Sequence, residues 1–156
     1  MFNVVMTYLS EEDEVRVAME TTGTNMPAIE RVLRGPDILE FQQMVRQVIV
    51  ADDIARYAVR LVAMSRPGQA AVPDFIDKYV KWGAGLRASQ ALILGAKARA
   101  LIHGRHHVSV KDIQALAAPI LRHRVVTNFY AESERINSDG IISRLLEKVP
   151  VPKSGL

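Results

Sequence analysis

The segment 86–103 constrains the fold more than any other part of the sequence. It is apolar almost all round and consists mostly of Ala, Leu and Ile, with Gly95 near its middle. A helix that is apolar on nearly every side has to be enclosed by other elements. Its small side chains let neighbouring helices approach closely. We therefore expect residues 86–103 to form the central helix of a helical domain.

Two further segments carry a one-sided apolar stripe with the helical spacing i, i+3, i+4, i+7 and i+8. The stripe of segment 51–65 consists of Ile54, Tyr57, Ala58, Leu61 and Val62. The stripe that follows Ser109 consists of Ile113, Leu116, Ala117, Ile120 and Leu121. Ser109, with Asp112 three residues later, predicts the N-terminal cap of this second helix. The basic residues 122–124 suit the dipole at its C-terminal end.

Three other patterns complete the predicted helices. Ser10 is followed by four acidic residues, which is typical of a helix start. The apolar face of that helix would carry Val15, Ala18 and Met19. A second pattern starts after the Gly35-Pro36 break and carries Ile38, Phe41, Val45 and Val48. The last helix is expected over residues 138–148, and residues 21–27 and 69–73 are expected to be loops.

Residues 2–8 are rich in β-branched and aromatic side chains and predict one short strand. A lone strand leaves its backbone donors and acceptors without the neighbouring strand that they need. We therefore expect an all-α fold, a compact helical bundle of five to six helices, with one short N-terminal strand left over from a missing α/β core.

Composition excludes several classes of protein. The 156 residues are 49% hydrophobic and carry a net charge of +3, which fits one globular domain and gives no strong electrostatic signal for a partner. Cysteine is absent, which excludes disulfides, thiolate catalysis and Cys-based zinc sites. The sequence contains no apolar stretch of about 18 residues and no signal-peptide layout. We expect a cytoplasmic protein that does not contact membranes.

Two segments are candidates for binding a metal or nucleic acid. His103, His106 and His107 are close in sequence, but no carboxylate at i+3 or i+4 completes a set of metal ligands. Residues 111–121 carry Lys111 as their single cation, whereas a recognition helix for DNA is normally more basic. We expect neither a bound metal nor a nucleic-acid partner.

The turn from Trp82 to Ser89 has the best potential for chemistry. Gly83, Ala84 and Gly85 lead directly into the central helix, and Arg87 lies in its first turn. Free N–H groups at such a helix start, together with an arginine, can bind an anion or phosphate. The same residues would also form a plain turn with a solvated arginine. The match of Gly83 to Ala88 with G-x-G-x-x-A is rejected, because segment 74–80 is polar and helix-like and no βαβ frame surrounds it.

Several motifs of the sequence occur together in the order found in one family. They are Phe2-Asn3-Val4-Val5 with Tyr8 and Ser10-Glu11-Glu12, then Tyr79, Gly83-Ala84 and Arg87-Ala88 with the helix from Leu92 to Leu101, then Gly104-Arg105, Val108, Lys111-Asp112-Ile113 and Leu121-Arg122-His123-Arg124. This ordered set, over residues 2–148, resembles the C-terminal helical lid domain of the MoxR branch of AAA+ ATPases. The middle group resembles the sensor 2 motif, usually G-[AS]-S-P-R-A, although Gly85-Leu86 replaces Ser-Pro.

The resemblance implies that Arg87 is the sensor 2 arginine, a catalytic residue that reaches the γ-phosphate of ATP. Gly83 and Ala84 would belong to the same cofactor site. ATP and Mg²⁺ would be the cofactors of the intact protein. Walker A and Walker B motifs are absent from this sequence, so the chain alone is expected to hydrolyse nothing.

The resemblance also implies domain limits and partners. Residues 1–9 would be the end of the ATPase core, residues 10–149 the lid and residues 150–156 a tail. Its partners would be its own ATPase core and neighbouring subunits of a ring, expected to be a hexamer. A protein with a von Willebrand factor A domain is a further partner of the family. The alternative is a free-standing helical module that binds other proteins and has no ATPase activity.

Overall fold

The computed structural model describes residues 1–24 and 28–152, so part of the predicted loop 21–27 lies outside the described residues. The helices are α1 (Glu11–Thr22), α2 (Gly35–Gln47), α3 (Asp52–Ala63), α4 (Asp74–Tyr79), α5 (Leu86–Ile102), α6 (Val110–Leu121), α7 (Phe129–Ser133) and α8 (Ser138–Lys148). The strands are β1 (Val80–Trp82) and β2 (Val126–Thr127), which pair antiparallel. The expected all-α fold is confirmed. The described residues form eight helices instead of five to six, because α4 and α7 are too short to show a helical period.

Helix α5 is central, as predicted. It packs against α2, α3 and α6, and α6 in turn packs against α8. All five stripe residues of α3 are buried. Four of the five in α6 are buried as well, while Leu116 is partly exposed. Burial of these apolar surfaces, at about 25 cal/mol per Å², is the main source of stability.

The predicted N-terminal strand is wrong. Residues 1–9 form no strand, because no other part of the described chain offers them a strand partner. Their backbone instead follows the end of α6. The N–H of Asn3 donates to the carbonyl of Pro119 at 2.7 Å, and the side chain of Arg122 donates to the carbonyl of Asn3 at 3.2 Å.

Helix α1 begins where the sequence predicts, but it does not join the core. The Ser10 hydroxyl accepts a hydrogen bond from the N–H of Asp13, which confirms the cap. However, the expected apolar face of Val15, Ala18 and Met19 is exposed. Helix α2 also buries no residue. The first two helices therefore present apolar side chains that the rest of the described chain does not cover.

A cluster of charged and polar side chains joins the loop after α5 to the start of α6. The Asp112 carboxylate, only 1% exposed, accepts two hydrogen bonds from Arg105, both of 2.7 Å. It also accepts hydrogen bonds from the N–H and the hydroxyl of Ser109, which confirms the predicted cap. Burial by itself would raise the pKa of Asp112, but these hydrogen bonds outweigh it and lower the pKa to about 2.

Glycine is required at position 83, where the chain crosses the end of α3. A Cβ atom at Gly83 would lie 2.3 Å from the carbonyl oxygen of Ser65 and 2.6 Å from the Cα of Arg66. These are backbone atoms, which a change of side-chain rotamer cannot move away. Two positions later, a Cβ at Gly85 would meet no atom within 4 Å. The two glycines of one turn therefore differ sharply in how well they can accept a side chain.

We expect Asp112 to make stability depend on pH. Its pKa is lower in the folded state than in the unfolded chain, so its contribution is complete above about pH 4 and is lost as the pH falls toward about 2. This contribution is worth about 2 kcal/mol. Urea unfolding between about pH 7 and pH 2.5 should show a weaker acid destabilisation in Asp112→Asn than in the unmodified chain. The exposed control Asp52→Asn should keep the original slope, and equal slopes in all three proteins would contradict this role.

We expect Gly83→Ala to destabilise the protein by about 1–3 kcal/mol, because the added methyl group collides with the backbone of residues 65 and 66. Gly85→Ala is the matched control and should change stability by no more than about 0.5 kcal/mol. Chemical unfolding of the two variants measures both values. A Gly83→Ala protein as stable as Gly85→Ala would show that this turn can move away from α3.

Candidate functional site at the start of helix α5

Two side chains from the end of α3 hold the turn before α5 in place. The N–H of Ala84 donates to the hydroxyl of Ser65 at 3.0 Å, and this hydroxyl donates in turn to the carbonyl of Val62 at 2.7 Å. The Nε of Arg66 donates to the carbonyl of Ala84 at 2.8 Å. Both backbone polar groups of Ala84 are therefore used, and Ser65 is fully buried. The start of α5 is thus fixed to the helical core.

The first turn of α5 itself is open. Gly85 is the N-cap residue and has no side chain with which to accept a hydrogen bond from the helix. The first turn contains no acidic residue. Leu86 and Arg87 follow, and both are exposed. The positive end of the helix dipole and the uncapped N–H groups therefore face solvent, where an anion can approach them.

Arg87 differs from the arginines of the helical body, residues 48–149, that pair with a carboxylate. Four arginines do so: Arg56 with Asp52, Arg99 and Arg105 with Asp112, and Arg122 with Asp139. Arg87 is exposed and has no hydrogen bond or ion pair to any of the residues that the structure describes. Its guanidinium keeps all five donors for another molecule. A planar guanidinium beside an open helix start suits a phosphate group, which it can bind through two parallel hydrogen bonds.

The predicted site residues thus lie in one turn but differ in exposure. Gly83 is half-buried and Ala84 is 1% exposed, while Arg87 is exposed. Gly83 and Ala84 therefore hold the turn in place, whereas Arg87 is accessible to another molecule. That Gly83, Ala84 and Arg87 belong to a cofactor site stays a prediction.

Sequence reasoning missed Ser65 and Arg66, the two residues that anchor this turn. They follow the last stripe residue of α3 and directly precede Pro67-Gly68, which reads as an ordinary helix end. Their partner, Ala84, lies 19 and 18 residues further along the chain. A contact across that distance leaves no local pattern in one sequence.

The histidines considered for metal binding have structural contacts at the end of α5. The Nδ1 of His103 lies 2.8 Å from the carbonyl oxygen of Arg99, and the carbonyl of His106 accepts a hydrogen bond from Ile49. Across residues 1–24 and 28–152, no three His, Cys, Asp or Glu side chains are grouped as metal ligands would be. Within the same ranges, no helix is long and apolar enough to cross a membrane.

Comparisons with known proteins converge on one family. Residues 75–145 match the family model described as the AAA lid domain. The chain is 30% identical to "Chaperone MoxR1" of Mycobacterium tuberculosis over 98% of its own length and 40% of that protein. It is 29% identical to "Protein MoxR" of Methylorubrum extorquens over 92% of the chain and 39% of that protein.

A solved structure has the same fold. The crystal structure of a proposed ATPase from Cytophaga hutchinsonii superimposes with a TM-score of 0.87 and 30% sequence identity. The match covers 98% of this chain and 47% of the other. The chain therefore spans less than half the length of these relatives. The matched region includes α5 and Arg87: residues 75–145 belong to the AAA lid domain family, and the chain as a whole is similar to part of these MoxR proteins.

Proposed function

We propose that this lid belongs to an ATP-hydrolysing ring protein and that Arg87 is its sensor 2 arginine, the residue that contacts the γ-phosphate of ATP. The observation that carries the proposal is the Arg87 guanidinium, exposed and without a partner in the described chain, at an uncapped helix start. The absence of acidic residues from the first turn supports an anionic ligand there. Gly83 and Ala84 complete the site by fixing the turn.

ATP with Mg²⁺ would supply the γ-phosphoryl group, and Arg87 would bind its negative charge. The phosphate cradle and the Mg²⁺ ligands would come from an ATP-binding core outside this sequence. Arg87 would donate hydrogen bonds to the γ-phosphate and lose that contact once this phosphate leaves. Because this contact would exist in only one nucleotide state, it would favour one position of the lid over another in that state.

The packing of α5 supports the transmission of such a shift. The turn beside Arg87 is bonded to the end of α3 through Ser65 and Arg66. Helix α5 also packs along α6. A pull on Arg87 would therefore move the helical body as a unit. Replacement of the family's Ser-Pro by Gly85-Leu86 removes a proline that pre-sets the first turn, yet α5 still begins at Leu86.

The proposal extends to the organisation of the intact protein. Residues 1–9 would join the lid to its own ATPase core, residues 10–149 would form the lid and residues 150–156 a tail. The assembly would be a cytoplasmic ring, expected to be a hexamer, that remodels or matures protein complexes. A protein with a von Willebrand factor A domain would be a partner.

The second candidate is a free-standing helical module that binds a protein and has no ATPase activity. The uncovered apolar residues of α1 and α2 favour it. The encoding gene separates the two candidates. A P-loop motif and an acidic Walker B strand upstream of Met1 support the ATPase, whereas a reading frame that starts at Met1 supports the module.

We expect Arg87→Ala in the intact protein to lower ATP turnover by about 10- to 1,000-fold, because charge stabilisation at the transferred phosphoryl group is lost. Steady-state hydrolysis and binding of a non-hydrolysable ATP analogue measure turnover and affinity separately. Arg56→Ala is the matched control, since Arg56 is an exposed arginine on α3. Its turnover should equal that of the unmodified protein. Unchanged turnover together with unchanged nucleotide affinity in Arg87→Ala would contradict the sensor role.

A further inference from the structure

An exposed apolar surface lies beside the Arg87 site. We define the β-sheet patch as the side chains of Trp82, Leu86, Val126, Phe129 and Tyr130. Their exposed fractions run from 47% for Val126 to 77% for Phe129. In the helical body from Val48 to Val149, the other exposed large hydrophobic residues are Ile49, Val59 and Ile102. Most of the exposed apolar residues of this body are therefore gathered around one small sheet.

Backbone contacts bring the members of the patch to one place. Trp82 and Val126 are register partners in the β1–β2 pair. The N–H of Asn128 donates to the carbonyl of Tyr79 at 2.9 Å, so the start of α7, with Phe129 and Tyr130, is held against β1. Leu86 is the first residue of α5 and precedes Arg87. Along the chain, the patch therefore adjoins the proposed nucleotide site.

An irregularity in β1 turns Trp82 outward. Alternate residues of a regular strand face the same side of a sheet, so Val80 and Trp82 would share a face. In the structure, Val80 is 3% exposed and Trp82 is 66% exposed. The register shifts between these two residues, as in a β-bulge. A bulge re-aims a side chain, and here it places the largest apolar side chain of the sequence in solvent.

The patch is also firmly placed. Val80, Ala84, Ala88 and Ala131 are buried directly beside its members along the chain. Side chains on a packed backbone cannot collapse onto the core to escape water. Exposed apolar side chains gathered on neighbouring elements in this way mark a docking site for another protein surface.

We propose that the β-sheet patch is the surface on which an ATP-binding core docks. The same core would then contact the aromatic side chains of the patch and present its phosphate to Arg87. This inference rests on the proposed function, because that function supplies the core. The relatives extend over more than twice the length that the chain covers, which leaves room for such a partner. Lys81 and Arg87, both exposed, flank Trp82 and Leu86 along the sequence. The partner therefore has an apolar centre, an acidic rim and a phosphate facing Arg87.

Calorimetric titration of the 156-residue chain into the ATP-binding core of its parent protein, loaded with Mg²⁺ and ATPγS, tests this proposal. We expect Trp82→Ser and Phe129→Ser each to weaken association by about tenfold or more, as for central aromatic residues of interfaces. Ile102→Ser is the matched control, because Ile102 is 82% exposed at the opposite end of α5. It should bind within about twofold of the unmodified chain. Cooperative unfolding of each variant confirms that it folds.

Trp82 is the single tryptophan of the chain and gives a second readout. With a tryptophan-free core, its fluorescence should shift to shorter wavelength and become less quenchable by acrylamide on docking. Patch variants that bind as tightly as the unmodified chain would overturn the inference. Unchanged Trp82 emission in the complex, self-association of the chain through Trp82, or no binding of the unmodified chain would overturn it equally.

The two proposals fail in different ways. Loss of turnover in Arg87→Ala combined with normal affinity of the Trp82 and Phe129 variants would leave the sensor role intact and remove the docking surface. Normal turnover in Arg87→Ala combined with weak binding of the Trp82 and Phe129 variants would remove the sensor role and leave the docking surface intact.

Discussion

The close approach of neighbouring helices to α5 is the constraint on which the structure depends. Its buried positions are mainly small, with Ala88, Ala91, Ala96 and Ala100 in contact with the surrounding helices. The distance between packed helices follows the size of the side chains between them. Larger residues would separate α5 from α3, and the hydrogen bonds that join Ala84 to the side chains of Ser65 and Arg66 require that these helices stay close. The orientation of Arg87 is therefore a consequence of core packing.

The parts of the fold that repeat with a helical period were predictable from the sequence. The stripe residues of α3 are all buried, and α8 covers the expected residues. The small sheet was not predictable, because strands of three and two residues are too short to alternate. At the site, the turn and Arg87 could be recognised from glycines and a motif. The anchoring role of Ser65 and Arg66 could not, since it arises only when α3 and α5 meet.

The error at the N-terminus has a physical cause as well. Residues 2–8 have the composition of a strand, but strand formation depends on a neighbour whose backbone groups they can pair with. Within the described residues that neighbour is lacking, and Asn3 pairs with the end of α6 instead. Composition indicates what a segment can form, whereas the available partners decide what it does form. The uncovered side chains of α1 and α2 follow the same logic.

The missing N-terminal cap of α5 has a consequence for how the lid would respond to a nucleotide. A capping side chain stabilises a helix start by about 1 kcal/mol, and Gly85 offers none. On the sensor proposal, the phosphate itself acts as the cap, because it accepts hydrogen bonds from the same N–H groups and from Arg87. The first turn of α5, which stays anchored through Ala84, would then be less stable when the phosphate leaves and more stable when it returns. Nucleotide state would be recorded as the stability of one helical turn.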